Sequence, residues 1–143
     1  MIAVDTNVLV YAFFSDSPFH TQARQALTRL AEGRAPWAIP WPCIHEFYAV
    51  TTNPKIFSQE GLGTAAREQI DEWLRSPSLQ LIGETATHWR DLSQILEASR
   101  TVGPAVHDAR IAAICIGHGV RELLTLDRDF SRFPELGTRS ILV

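Results

Sequence analysis

Residues 1–10 have the sequence Met1-Ile2-Ala3-Val4-Asp5-Thr6-Asn7-Val8-Leu9-Val10. The continuous apolar run before Asp5 is typical of a strand that is covered by helices on both faces, as in a parallel α/β sheet. In such sheets ligands bind beyond the carboxyl ends of the strands, which is where Asp5 would lie. Aspartate is also a favoured helix N-cap. This stretch alone therefore leaves two roles open for Asp5: a functional acid, or a cap of the helix that follows.

The composition is that of a folded protein with one core. The chain has 143 residues, of which 45% are hydrophobic and 20% are charged, and a chain of this size buries a substantial core. We therefore expect a single domain over residues 1–143. The formal net charge of −3 argues against a general binder of polyanions. A nuclease with clustered carboxylates is nevertheless acidic until a metal ion neutralises its site.

The cysteine spacing argues against a zinc or CxxC protein, and the lengths of the apolar runs argue against a membrane-spanning one. Cys43 and Cys115 form no CxxC pair and make no plausible zinc set with the histidines near them. No apolar run approaches the roughly 18 residues of a membrane span. We expect a soluble, cytoplasmic protein that has no membrane partner.

Short apolar runs alternate with segments of helical periodicity. The predicted strands are residues 2–4, 37–40, 79–82, 123–126 and 139–143, and the intervening segments predict six helices. Ser17 and Thr64 are predicted helix N-caps. Strands that alternate with helices imply a parallel sheet with right-handed crossovers, so we expect an α/β fold, a three-layer α/β/α sandwich.

Four acidic residues are predicted at one edge of this sheet. Asp5 and Asp127 each end a strand, and Glu46 and Asp108 are placed in the first turns of helices that begin at the same edge. Each acid has an ordinary structural explanation, since carboxylates are stabilised near helix N-termini. Four of them at equivalent positions are much less probable as a coincidence. We expect all four to converge on one cleft.

Clustered carboxylates in a cleft of low dielectric constant repel one another, and a divalent cation is the natural remedy. An all-oxygen site suits Mg²⁺ or Mn²⁺ rather than zinc. Such an ion lowers the pKa of bound water and stabilises a leaving oxygen. The predicted reaction is hydrolysis of a phosphodiester without a covalent enzyme intermediate.

The sequence resembles PIN-domain ribonuclease toxins of the VapC type along its whole length. The resemblance rests on Val4-Asp5-Thr6-Asn7, on Glu46 preceding Thr51-Thr52-Asn53-Pro54, on His107-Asp108-Ala109-Arg110-Ile111-Ala112-Ala113, and on Leu124-Thr125-Leu126-Asp127-Arg128-Asp129-Phe130. The order and distances of these motifs make the resemblance specific. It implies a PIN-like sandwich of strand order 3-2-1-4-5, RNA as the substrate of a metal-dependent endoribonuclease, and a small antitoxin protein as the partner in a type II toxin–antitoxin system. The helices with Phe13, Phe14, Phe19, Phe47 and Tyr48 offer apolar surface for that partner or for a homodimer, and a place in the core is the ordinary alternative for these aromatics.

The resemblance also implies a site. Its acidic members correspond to Asp5, Glu46, Asp108 and Asp127, with Thr6, Asn7 and Thr125 as supporting polar groups. Asp5, Asp108 and Asp127 are expected nearest to the Mg²⁺ or Mn²⁺, and Glu46 is expected to act through a water molecule.

Several neighbours of these residues have open roles. Asp129 follows Asp127 by two residues, and we expect a helical turn to carry it away, as a supporting or capping residue. His45 and His107 each precede a site acid and are expected at the rim, because adjacent helical residues point about 100° apart. Arg110, Arg128, Arg132 and Lys55 are candidates for phosphate contacts, for antitoxin contacts or for plain surface charge.

Two other functions compete with the nuclease. An aspartyl-phosphate phosphatase with Asp5 as nucleophile would need a second aspartate two residues later and a lysine deep in its site. Asn7 occupies that position, and the only lysine, Lys55, lies in a predicted turn. The second alternative is a catalytically degenerate PIN fold that serves only to bind protein, which the complete set of acids argues against.

Overall fold

The computed structural model of the protein describes residues 1–142, in which five parallel strands form one sheet of order β3-β2-β1-β4-β5. The strands are β1 (Ile2–Val4), β2 (Trp37–Pro40), β3 (Leu79–Ile82), β4 (Glu122–Leu124) and β5 (Gly137–Arg139). The predicted α/β class and the predicted strand order are both confirmed.

Helices cover both faces of this sheet. They are α1 (Thr6–Phe13), α2 (His20–Glu32), α3 (Trp41–Thr51), α4 (Leu62–Leu74), α5 (His88–Ser99) and α6 (Val106–Gly117). The chain steps one way along the sheet from β1 to β3 and the other way from β3 to β5. Because parallel crossovers are right-handed, α1 to α4 lie on one face and α5 and α6 on the other. The packing agrees, since α1 contacts α2 and α3, α3 contacts α4, and α5 contacts α6.

The core lies at the centre of the sheet and along α6. All four residues of β2 are buried, and so are Ala109 and residues 111–115 of α6. Because α6 packs on β2, the first turn of α6, which carries Asp108, is fixed in position by the core. Within residues 1–142, no helix has both the length and the apolarity that crossing a bilayer requires.

β4 and β5, the two strands on one side of β1, differ from their predicted bounds. β2 and β3 match their predicted bounds, but β4 stops at Leu124 and β5 precedes most of the predicted strand at 139–143; Val143 lies outside the described residues. The prediction for β4 ran too far because apolar character continues after the strand has ended. There the hydroxyl of Thr125 accepts a hydrogen bond from the Asp127 amide at 3.0 Å and turns the chain.

Both predicted N-caps were wrong. The hydroxyl of Ser17 donates to the carbonyls of Tyr11 at 2.7 Å and Phe14 at 2.8 Å, so Ser17 closes the end of α1 rather than opening α2. Thr64 lies inside α4, which starts after Gly61 at a φ of 78°. Glycine adopts this left-handed conformation without the steric penalty of a side chain. Short polar side chains accept or donate to several backbone groups, and the sequence does not say which group is used.

Candidate active site

Asp5 lies at the end of β1 and caps α1. Its Oδ1 accepts a hydrogen bond from the Thr6 amide at 2.8 Å, and its Oδ2 accepts one from the Thr125 hydroxyl at 2.7 Å. The Asp5 side chain is 5% exposed. Asp5 is therefore the N-cap of α1, and it also binds the chain that follows β4, the strand next to β1.

Burial raises the pKa of Asp5 from 3.8 to about 6. The hydrogen bonds from Thr125 and from the Thr6 amide lower this pKa, while the nearby charges of Glu46 and Asp108 raise it further. Removing a carboxylate from water disfavours its charged form, and like charges add to the cost. An ionised Asp5 is thus held in a position where a cation would be strongly favoured.

Thr125 connects the two chain segments of the site. Besides donating to Asp5, its Oγ1 accepts hydrogen bonds from the Asp127 amide at 3.0 Å and from Asn7 Nδ2 at 3.4 Å. The other end of the Asn7 amide, Oδ1, accepts from the Leu126 amide at 3.3 Å. The side chains of Asp5 and Asn7 are therefore hydrogen-bonded to residues 125–126, and Thr125 in turn binds the Asp127 amide. These bonds fix Asp127 relative to Asp5.

Glu46 lies in the second turn of α3, not in the first turn as predicted. The helix begins at Trp41, so stabilisation by the helix N-terminus, which falls off within the first turn, does not explain this carboxylate. Glu46 is exposed, and its Oε2 accepts a hydrogen bond from the Thr6 hydroxyl at 3.2 Å. Thr6 thus places Glu46 beside Asp5, since one residue contacts both carboxylates.

Three further carboxylates meet at the same edge of the sheet. One oxygen each of Asp108, Asp127 and Asp129 lies within 4.8 Å of the others. Asp108 stands in the first turn of α6. Asp127 caps the 3₁₀ turn Arg128–Arg132, where its Oδ1 accepts from the Asp129 amide at 2.8 Å. This turn brings Asp129 into the group, whereas we expected a helical turn to carry it away.

The electrostatics of Asp108 reflect this crowding. Burial raises the pKa of Asp108, and the charges of Asp127, Asp129 and Glu46 raise it further. The positive charge of Arg132 opposes them. Asp5 is not a member of the three-residue group, but Asp108 and Glu46 act on its pKa. All five carboxylates therefore belong to one electrostatic unit.

The donor set fits a hard divalent cation. Every candidate ligand atom in the group of Asp108, Asp127 and Asp129 is a carboxylate oxygen. Mg²⁺ and Mn²⁺ prefer such ligands, whereas zinc prefers histidine and cysteine.

Cys43 is a contact of the site that sequence reasoning missed. Its buried Sγ lies 3.8 Å from Asp5 Oδ1 and is placed to donate a weak hydrogen bond to it. Desolvation and the charge of Asp5 raise the pKa of this thiol well above its usual value, so it stays protonated. The available signal was spacing, because Cys43 precedes Glu46 by three residues and helical residues at that spacing share a face.

The four cations that the sequence offers as phosphate contacts differ in their surroundings. Arg110 is paired with Glu84, with both Nε and Nη2 at 2.6 Å from Oε1, so its charge is partly neutralised. Arg128 and Lys55 are exposed. Arg132 is the cation whose charge acts on Asp108.

We expect Asp5→Asn to stabilise the metal-free protein at neutral pH. The pKa of Asp5 in the folded state, about 6, exceeds its ordinary value of 3.8. Between these two pKa values Asp5 ionises more readily in the unfolded chain than in the folded protein. The stability that depends on Asp5 is therefore fully present below pH 4 and is lost as the pH rises through 6. The free energy of unfolding of Asp5→Asn, relative to that of the wild type, should increase by on the order of 2 kcal/mol from pH 4 to pH 7.5. Urea unfolding in a chelating buffer measures this difference.

The matched variant Asp16→Asn removes an exposed carboxylate outside the site and reports the effect of the amide itself. A stability difference between wild type and Asp5→Asn that is the same at both pH values would contradict the account of Asp5.

We expect Thr125→Val to destabilise the protein by about 1–3 kcal/mol, because it leaves Asp5 Oδ2 and the Asp127 amide without their buried partner. Thr125→Ser keeps the hydroxyl and should retain most of the stability. Titration with Mn²⁺ should show weaker binding by the valine variant than by the serine variant. Equal stability and equal Mn²⁺ affinity of the two variants would show that the hydroxyl does not organise the site.

Comparison with known proteins identifies the family of this chain. The PIN domain family model matches residues 2–136. Ribonuclease VapC43 of Mycobacterium tuberculosis is 31% identical over 139 residues, which cover 97% of this chain and 94% of the relative.

Two solved structures share the fold. VapBC2 from Rickettsia felis, crystallised with a promoter DNA fragment, has a TM-score of 0.70 at 21% identity and covers 98% of both chains. A toxin–antitoxin complex from Klebsiella pneumoniae has a TM-score of 0.64 at 19% identity and covers 95% of both. Since the family model and VapC43 each match nearly the whole chain, the protein belongs to the PIN-domain family, among its VapC ribonucleases.

Proposed function

We propose that this protein is a Mg²⁺- or Mn²⁺-dependent endoribonuclease and the toxin of a type II toxin–antitoxin system. The observation that carries the proposal is the convergence of Asp108, Asp127 and Asp129 within 4.8 Å of one another, electrostatically coupled to the buried Asp5. Membership of the VapC ribonucleases supports RNA as the substrate.

The proposed catalytic residues are Asp5, Glu46, Asp108 and Asp127. Asp5, Asp108 and Asp127 are the proposed metal ligands, and the position of Asp129 makes it an additional candidate. A bound divalent cation would lower the pKa of a water molecule and stabilise the negative charge that develops on the phosphodiester.

Glu46 is the proposed proton acceptor for the attacking water. Its Oε2 is engaged by the Thr6 hydroxyl, which leaves Oε1 to accept a proton. Because Glu46 is exposed, it can reach solvent water. Thr6 and Thr125 act as positioning residues, since each binds Asp5 and also a second element of the site. Asn7 is a third positioning residue, because its amide joins the start of α1 to Thr125 and Leu126.

The negative site must also accept a negative substrate. Five carboxylates repel an RNA backbone, so cations are needed at the edge of the site. Arg132, whose charge already acts on Asp108, is the proposed phosphate contact, and the exposed Arg128 is a second. RNA binding should therefore weaken with rising salt concentration.

An antitoxin protein is the proposed partner. The Klebsiella pneumoniae structure, which shares this fold, is described as a toxin–antitoxin complex. By the same reasoning we propose that a small antitoxin restrains this ribonuclease in the cytoplasm. A homodimer remains part of the proposal, and size-exclusion chromatography of the isolated chain tests it.

The phosphatase alternative lacks the groups that it needs. Asn7 engages Thr125 and Leu126 through its amide and offers no carboxylate, and Lys55 is exposed in the turn after α3. A degenerate, purely protein-binding fold is distinguished from the nuclease by the cleavage experiment that follows.

We expect the wild-type protein to cleave RNA with Mg²⁺ or Mn²⁺ and to stop when the metal is chelated. Asp108→Asn should lose both Mn²⁺ binding and cleavage, because it removes a charge from the proposed metal site. Glu46→Gln should keep Mn²⁺ binding but lose about 10²–10⁴-fold in kcat, the usual contribution of a general base. Calorimetric titration with Mn²⁺ and single-turnover cleavage of labelled RNA measure the two effects separately.

Glu68→Gln, at an exposed position on α4, is the matched control and should behave as wild type. Cleavage by Asp108→Asn at the wild-type rate, or equal cleavage with and without chelator, would overturn the proposed mechanism.

A further inference from the structure

A cleft between α3 and α6 adjoins the proposed metal site. We call it the α3–α6 cleft; it has a volume of about 420 Å³, and its walls include His45 and Glu46 from α3 and His107, Asp108 and Arg110 from α6. Two residues of the proposed site, Glu46 and Asp108, are thus also walls of this cleft. A ligand in the cleft would lie directly beside the reacting phosphate.

The walls of the α3–α6 cleft combine flat aromatic faces with an apolar surface. His45 and His107 contribute imidazole rings from the two helices, and Pro42, Ala49 and Ile111 contribute apolar atoms. Both histidines are exposed. An imidazole offers a flat face for stacking and two ring nitrogens for hydrogen bonds.

His45 has an aromatic neighbour on its own helix. The indole of Trp41, one helical turn earlier on α3, lies with its ring centroid 6.1 Å from that of His45 and its plane tilted by 34°. Trp41 is 41% exposed. On the other side, Arg110 is held by its ion pair with Glu84. His45 and Arg110 thus each have a partner that is not itself one of the cleft walls.

We propose that the α3–α6 cleft binds a nucleobase of the RNA, that of a nucleotide next to the scissile phosphate, between His45 and His107. The inference rests on the proposed ribonuclease function. Single-stranded RNA is recognised mainly through unstacked bases that stack on aromatic side chains and hydrogen-bond through their edges. The cleft supplies imidazole faces for stacking and ring nitrogens for hydrogen bonds, and Glu46 and Asp108 line the same cleft.

The chemistry of the cleft favours a base over the other parts of the RNA. A second phosphate is disfavoured there, because Arg110, the arginine of the cleft walls, is already paired with Glu84. A base is uncharged, and its π face matches the imidazoles. The α3–α6 cleft would thus give the enzyme a base preference at one position of its cleavage site.

The test uses the full-length protein with Mn²⁺. Sequencing of the cleaved ends from a randomised RNA pool gives the base preference at each position around the cut. We expect wild type to show a preference at one position beside the cut, and we expect His45→Ala and His107→Ala to lose it. Each variant should also lose about 10-fold in kcat/KM, the typical effect of one stacked base.

A double-mutant cycle isolates the contact. An RNA that carries an abasic ribose at the preferred position should be cleaved about 10-fold more slowly by wild type, whereas the two alanine variants should not distinguish it from the intact RNA. His45→Phe keeps a flat aromatic face and should restore part of the rate. Trp89→Ala, which removes an aromatic side chain that is 68% exposed on α5, is the matched control and should leave both rate and preference unchanged.

The outcomes separate this inference from the proposed function. Wild type that cleaves RNA, together with alanine variants that retain the base preference or discriminate against the abasic RNA as wild type does, would overturn the nucleobase site alone. Wild type that cleaves no RNA with Mg²⁺ or Mn²⁺ would overturn the proposed function and this inference with it. Alanine variants that cleave RNA normally but lose affinity for the antitoxin would assign the α3–α6 cleft to a protein and also overturn the inference.

Discussion

The buried carboxylate of Asp5 is the constraint on which the rest of the site depends. It is held between the Thr6 amide, at the start of α1, and the Thr125 hydroxyl, in the chain that leaves β4. These two segments are neighbours because β1 and β4 are adjacent and parallel, with Val4 paired to Leu124. A parallel sheet brings the carboxyl ends of both strands to one edge. From that edge, Thr6 reaches Glu46 on α3 and Thr125 reaches Asp127. Through Thr6 and Thr125, the hydrogen bonds of Asp5 thus connect α3 with the chain that follows β4.

This arrangement sets function against stability. Burial disfavours the charged form of Asp5 and raises its pKa to about 6. Burial and the neighbouring acids likewise disfavour the charged form of Asp108 and raise its pKa. Fully formed hydrogen bonds lower the cost without removing it. The remaining energy must come from the core, in which the whole of β2 and much of α6 are buried. Functional sites commonly retain such destabilising features. A cation that binds the folded state alone would return part of this stability.

Much of the fold and part of the site could be predicted from the sequence. The bounds of β2 and β3 were predictable because each is a compact apolar run between polar or proline-rich segments, and the alternation of strands and helices fixed the class. The end of β4 was not predictable, because its apolar run continues while the Thr125 hydroxyl turns the backbone. The first-turn prediction for Glu46 was wrong with either start of α3, because this residue follows Trp41 by five positions and Pro42 by four and so lies in the second turn. The role of Asp129 depends on the tight 3₁₀ turn that Asp127 caps. The contact of Cys43 depends on the packing of α3 against α1, the helix that Asp5 caps. Both are tertiary properties that composition and periodicity do not encode.

The central claim is that the acidic edge of the sheet binds a divalent cation, and diffraction from crystals soaked in Mn²⁺ tests it most directly. An anomalous difference map should contain a peak bounded by the carboxylates of Asp108, Asp127 and Asp129, on the side that faces Asp5. The same soak of Asp108→Asn crystals should lack that peak. Ordered wild-type carboxylates with no anomalous peak among them, or a peak that persists in Asp108→Asn, would contradict the account.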